Sequence, residues 1–400
     1  MLNTPEEGEL KKKKIIRYSL FIGIIAIIVV IVVVVVIVVK NKKGDDTEKS
    51  ESGPINPSNS EPLWDNLIPS PSEGEMRELI QASYNITTAM TQSEIQEILS
   101  NNSYQIIRFT KGTYNLGIES ENKINGLAFS RKRYVILDEG VVFNVIGEPF
   151  KKYTDYYALH FVRVVATKEE PMIFIGKLEI NGNRNPSIDA DFRGQCGMGL
   201  SFYSSQYIYF QDIYSYNNHG DGIYIGSGTG YSDTGEIQCN FCSNIKIGKA
   251  RCKGNYRNGI SIIAGLNITI NELYLEETTG TLPESGIDFE PSKSCEIMDV
   301  IINKIFSSHN NKFGITTFPS ESESIKVSIN EVHSDHDSLS FINGNFGFFA
   351  GTKTCSKVQY FYHIKKVFFN IVEGRKDYIV YQNWGPDCHS LVIDNITFIE

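Results

Sequence analysis

Between Gly199 and Phe341 one short phrase recurs six times: a small residue, an apolar one, a polar or variable one, and usually a second apolar one. The phrases are Gly199-Leu200-Ser201-Phe202, Gly222-Ile223-Tyr224-Ile225, Gly259-Ile260-Ser261-Ile262, Gly286-Ile287-Asp288-Phe289, Gly314-Ile315-Thr316-Thr317 and Ser338-Leu339-Ser340-Phe341. Their starts lie 23, 37, 27, 28 and 24 residues apart. Apolar–polar alternation reads as a β-strand, and recurrence at such a period reads as a solenoid. A second apolar strand follows in each central repeat, as at Ile208-Tyr209-Phe210, Ile268-Thr269-Ile270 and Val300-Ile301-Ile302. The pattern predicts an all-β fold, a parallel β-helix in which each repeat stacks on the next. Asn218, Asn255 and Asn310 each stand four residues before a rung glycine. Asparagine tolerates left-handed backbone, so these three are assigned to a turn ladder.

A strand, a turn and a new strand are predicted over Ile106–Tyr114, and further strands at Tyr134–Leu137, Val141–Val145, Tyr157–Val165 and Met172–Ile175; Lys177–Ile180 leads into a turn-rich run at Asn181–Asn185, and alternation continues toward the C-terminus within 360–396. A solenoid exposes core at its open end. Thr91-Gln92-Ser93-Glu94 is a capping-box pattern opening a helix with Ile95, Ile98 and Leu99 on one face, the candidate cap. Gly74–Ala82 has the pattern of a short amphipathic helix, and the Gly/Ser/Thr-rich run between Gly226 and Cys242 reads as a long loop.

The first 72 residues do not share the pattern. Ser19–Val39 is 21 residues without a charge, enough helix to cross a hydrocarbon core about 30 Å thick. It ends at Val38-Val39-Lys40 rather than in the small residues of a cleavage site, so it is read as an uncleaved signal-anchor. Five basic residues precede it (Lys11–Lys14 and Arg17) and three follow (Lys40, Lys42, Lys43), which places the N-terminus in the cytoplasm. The expected organisation is a tail over 1–18, a transmembrane helix over 19–39, a Ser/Pro/Asn-rich stalk over 40–72 and an extracytoplasmic β-helix over 73–400.

The chain carries a net charge of −9, and residues 1–43 hold 8 Lys+Arg against 3 Asp+Glu, so the remainder stands at −14, which argues against a nucleic-acid partner. Asn85, Asn101, Asn267 and Asn395 are Asn-x-Ser/Thr glycosylation acceptors beyond the span. All seven cysteines lie in Cys196–Cys388, consistent with up to three disulfides in an oxidising compartment. Cys239-x-x-Cys242 lacks the second pair that a zinc site needs and is read as loop disulfide chemistry, paired together or separately.

Several segments resemble the pectin-lyase-like superfamily of right-handed parallel β-helices. Phe109-Thr110-Lys111-Gly112-Thr113-Tyr114 is similar to the strand that opens those folds, and Ile180-Asn181-Gly182-Asn183-Arg184 to their Asn-Gly-Asn turn. Arg257-Asn258-Gly259-Ile260-Ser261-Ile262 and Ser285-Gly286-Ile287-Asp288-Phe289-Glu290-Pro291 resemble rung motifs of secreted β-helix-repeat proteins. The resemblance implies a right-handed coil and action on an extended glycan. Of the polygalacturonase motif only Asp221-Gly222 is matched; Arg257-Asn258 replaces the Asp pair, Ser285 the histidine, and Gly314-Ile315-Thr316 lacks the Arg and Lys.

Alternation places Ile287 and Phe289 inward and Asp288, Glu290, Tyr224, Ser261, Thr316 and Ser340 outward, along a groove on the Gly222–Gly286 rungs. Asp221 and Asp288 are two rungs apart, and rungs stack about 4.8 Å apart, near the carboxyl separation of an inverting glycosidase. The candidate catalytic residues are therefore Asp221, Asp288 and Glu290, supported by Arg257 and His219. Tyr224, Asn258 and Ser261 are the candidate substrate contacts. A lyase or epimerase reading gives the three carboxylates to Ca²⁺ and makes Arg257 or His219 the base. A non-catalytic surface protein binding glycan or a neighbouring cell is the alternative. Arg257 is also a candidate rung-to-rung ion pair with Asp221 or Glu290, Asp335-His336-Asp337 is read as turn chemistry, and most tyrosines of 203–224 as packing on one another.

Overall fold

The structure is a computed structural model that describes residues 64–117, 124–146, 156–184, 197–231, 237–291, 295–317, 324–342, 360–370, 379–382 and 389–399. Residues 62–400 form one unit and 1–61 another; the predicted tail and span lie outside the described residues. No helix among the described residues is long and apolar enough to cross a membrane.

The six phrases become successive parallel strands of one sheet, with Leu200, Ile223, Ile260, Ile287, Ile315 and Leu339 in register from rung to rung. Each rung then crosses to a second parallel sheet through strands such as Ile208–Tyr216, Lys246–Lys253, Gly265–Glu276, Ile297–Ser308 and Ile325–Asp335. The inward residues of both sheets share one continuous apolar core. Phe129, Phe161 and Phe202 stack along it with centroids 4.9 and 5.0 Å apart, and Phe174 stacks on Phe210 at 4.4 Å. The expected parallel coil is thus present, and the C-terminal strands Tyr360–Asn370 and His389–Ile399 are its last described rungs.

The rung glycines are there for space. A Cβ on Gly222, Gly259 or Gly286 would meet the carbonyl oxygen of the next rung's glycine at 2.7, 2.5 and 2.6 Å, and backbone cannot swing aside as a side chain can. Gly286→Ala should therefore lower stability by about 1–3 kcal/mol through overpacking, read as a fall in urea midpoint at unchanged m-value.

The second-sheet strands are longer than the sequence suggests because they turn a corner. In Gly265–Glu276 the side chains in the apolar core are Ile268 and Ile270, then Leu273 and Leu275. The alternation slips at Asn271-Glu272, and the slip recurs at Asn303-Lys304 and Asn330-Glu331. Amides bridge these corners along the axis, Asn303 donating to Asn271 at 2.9 Å and Asn330 to Asn303 at 3.0 Å. The predicted turn ladder is present too. Asn218 donates through its amide to Asn255 Oδ1 at 2.8 Å, and Asn310 lies between Thr278 and Asp337 in the same manner.

The helix Gln92–Ser100 closes the N-terminal end. Thr91 and Glu94 complete the capping box, and Ile95, Ile98 and Leu99 are buried in the core. Gln92 and Gln96 add a function not read from sequence: their side-chain amides bond Gly126 O, Ala128 O and Ala128 N of the first strand of the phrase-bearing sheet. Two side chains thereby pair an edge that would otherwise template another strand. The helix Glu73–Ala82 packs elsewhere, with Met76, Leu79 and Ile80 over Ile136, Ile173 and Ile175. Leu67 and Ile68, within the stretch read as stalk, are buried in the same cluster.

Cys239 pairs with Cys295, tying the long loop to a later rung, while Cys242 and Cys252 are buried free thiols. The Cys239-x-x-Cys242 pair is therefore not a disulfide. Burial pushes the Cys242 thiol up to about 12, so it is inert packing. Cys196, Cys355 and Cys388 lie outside the described residues.

Candidate active site

Outside the apolar core, the phrase-bearing sheet carries one side-chain column: His160, Ser201, Tyr224, Ser261, Asp288 and Thr316 occupy the same register position on six successive rungs. Ser340 continues it on the next rung. His160 is the member the sequence reading missed, because its rung, Tyr156–Val162, lacks the glycine phrase. Its Nδ1 lies 2.8 Å from Ser201 Oγ and its ring stacks on Tyr157 at 4.8 Å. Burial lowers its pKa to about 4, so the imidazole is neutral.

Asp221 belongs to the neighbouring column. Its Oδ1 accepts the backbone N–H of Asn258 at 3.1 Å, and Asn258 Oδ1 accepts that of Ser285 at 3.1 Å. This is a second ladder, built like the Asn218 one. Asn258 also points a side-chain nitrogen at Ser261 Oγ at 3.0 Å and at Asp288 Oδ2 at 3.3 Å.

Arg257 joins the two columns. One guanidinium nitrogen lies 3.0 Å from Asp221 Oδ2; another lies 2.9 Å from Glu290 Oε2 and 3.7 Å from Asp288 Oδ2. The expected pairing of Arg257 with Asp221 or Glu290 is thus made with both at once, from three rungs. It is not an exposed pair: Arg257 is 9 % exposed, Asp221 and Asp288 are 0 % and only Glu290 reaches solvent, at 43 %.

These burials correct the expected open groove. Asp288 does alternate away from the core, between buried Ile287 and Phe289, yet nothing of it touches solvent. Ser261, Asn258, Thr316 and His219 are buried as well, and Tyr224 is half-buried. Arg257 is no base, because the surrounding carboxylates hold the guanidinium cationic. Nor do the carboxylates fit Ca²⁺: the guanidinium already lies between Asp221, Asp288 and Glu290.

The electrostatics separate the acids. Desolvation raises Asp221, with Arg257 opposing. Asp288 is raised well above the usual carboxylate range, first by desolvation and then by the Glu290 charge. Its Oδ1 is buried without a hydrogen-bond partner, as is Arg257 Nε. A buried acid with a raised pKa, two residues from an exposed carboxylate on the same face, has the pattern of a proton donor and its partner. The tyrosines pack on one another: Tyr203 lies 5.5 Å from Tyr224, and Tyr214 stacks on Tyr216 at 4.6 Å.

No family model and no curated protein matches this chain. Two solved structures are similar at 10 % identity, each over 72 % of this chain. One is a 1,3-alpha-1,4-beta-D-galactose-4-sulfate-3,6-anhydro-D-galactose-2-sulfate 4 galactohydrolase, with 72 % of its own chain covered and a TM-score of 0.40. The other is pectate lyase Pel9A, with 68 % covered and a TM-score of 0.30. At those scores the likeness adds nothing to the strand register, which establishes the coil by itself. A coil of stacked parallel strands around one apolar core fits the pectin-lyase-like superfamily that the motifs resemble.

Proposed function

We propose that the chain is a membrane-anchored, extracytoplasmic β-helix protein that cleaves an extended polysaccharide at the Arg257 cluster. Asp288 is the proton donor and Glu290 the carboxylate partner. The observation that carries this reading is the pair itself: two acids two residues apart on one face, one wholly buried with its pKa raised by desolvation and the Glu290 charge, the other at the surface. Substrate enters where Glu290 meets solvent and reaches Asp288 as the Glu290–Arg257 contact opens. Asp221, already held by Arg257 and the Asn258 backbone, positions the arginine and does not touch substrate. A screen of polysaccharides for new reducing ends and for unsaturated products tests the activity and separates hydrolase from lyase.

The complete burial of Asp221 and Asp288 favours a second reading, in which the cluster is a structural clamp and the same face binds glycan without cutting it. Glycan retention without product formation would select that reading.

The Cys239–Cys295 disulfide supports an oxidising compartment, and the apolar run 19–39 with its basic N-terminal flank supports a type II anchor. Asn85, Asn101, Asn267 and Asn395 are all exposed, as attachment of N-glycans requires. Loss of an endoglycosidase-sensitive mass shift after removing these four sequons checks the topology; a chain that never carries such a shift would count against it.

A further inference from the structure

Five successive rungs among the described residues leave the second sheet through the same turn. Its first residue has a left-handed backbone: Asn217 at φ 53°, Gly254 at 63°, Glu277 at 56°, His309 at 56° and His336 at 64°. The backbone N–H of each of the first four bonds the carbonyl just before its counterpart in the next rung, at Lys253, Glu276, Ser308 and Asp335. The five residues therefore form a column along the coil axis. His309 and His336 are consecutive in it, and their rings stack with centroids 4.5 Å apart and planes 22° apart.

The left-handed turn also undoes the alternation that separates neighbouring side chains in a strand. Asp335 and His336 meet outside the coil, Nδ1 to Oδ1 at 2.7 Å, while Asp337 is buried in the amide ladder. One donor atom each from His309, Asp335 and His336 lies within 4.8 Å of the others. His309 and His336 are exposed and Asp335 is partly so. Glu277, the preceding column member, pairs with Lys253 at 3.0 Å.

We propose that His309, His336 and Asp335 bind one divalent transition-metal ion, Zn²⁺, and so staple two successive rungs. Two imidazoles and a carboxylate suit zinc, whereas Ca²⁺ takes oxygen ligands. The ion takes the place of the proton shared by His336 and Asp335, and their N···O distance widens to about 3.4 Å, as two zinc bonds of about 2.0–2.1 Å at a tetrahedral angle require. The exposed His309 ring swings in as the third ligand, and water completes the shell. The site is separate from the Arg257 cluster and does not depend on the function proposed for it.

Calorimetric titration of the full-length chain with ZnCl₂, alongside melting curves with and without Zn²⁺, tests the assignment. The reference is the double variant His309→Asn, His336→Asn, since Asn217 shows that this column accepts asparagine. The wild-type chain should bind one equivalent at this site with micromolar affinity and melt at higher temperature with Zn²⁺, but not with Ca²⁺. The double variant should lose that equivalent, weakening by at least about tenfold, while melting without metal as the wild type does. An unchanged zinc isotherm in the double variant, or no uptake by the wild type at 100-fold molar excess of ZnCl₂ over protein, would overturn it.

Discussion

Arg257→Met should cost about 3–5 kcal/mol of folding stability, the range for removing one partner of a buried ion pair. The reason is arithmetic of charge. A single guanidinium holds Asp221 of the preceding rung and Asp288 and Glu290 of the following one together. Without it, two wholly buried acids face each other and Glu290 with no counter-charge. The loss should shrink as pH falls from 7.5 to 5, because protonating Asp221, whose pKa burial already raises, removes the uncompensated buried charge. Denaturant midpoints at the two pH values read both effects. A loss independent of pH would mean that Arg257 matters only for packing. Arg257→Lys should rescue little, since one ammonium cannot reproduce the planar fork that meets Asp221 and Glu290 at once.

Asp288→Asn should lower the rate of glycan cleavage by about 10²–10⁴-fold, the usual share of a general acid, while the coil stays folded. Asparagine keeps the shape and can still accept from Asn258. Because the Asp288 pKa is raised in the folded chain, stability from this group is present below the unfolded aspartate range and is lost as pH rises through the raised folded value. Asp221 is raised too, and Asp337 to about 6, so they act in the same direction. The wild-type chain should then lose stability with rising pH over that window, and Asp288→Asn should flatten part of the slope. As a proton donor, Asp288 should also make cleavage fail on the alkaline side. An Asp288→Asn enzyme with wild-type rate and pH profile would exclude the role.

What could be read from sequence depended on whether the information was local. The rungs were legible because each carries its own alternation and a glycine that the next rung's carbonyl requires. The cap was legible because Thr91, Glu94 and the buried face of Ile95, Ile98 and Leu99 sit within nine residues. The corners at Asn271, Asn303 and Asn330 were not, since a slip of one residue in alternation looks like a strand end. His160 was hidden by a rung without the glycine phrase, 41 residues before Ser201. Alternation assigned Asp288 correctly to the outside of the sheet. It could not say what lies over that side, and Arg257 from the preceding rung fills it. The Cys239 partner, 56 residues away, and the meeting of His309 with His336 are likewise products of stacking rather than of neighbouring residues.

The most direct measurement is product formation by the full-length chain and its Asp288→Asn variant on a common panel of polysaccharides. At least one glycan should yield new reducing ends with the wild type and almost none with the variant. Retention of a glycan with no product from either, or equal product from both, would contradict cleavage by Asp288.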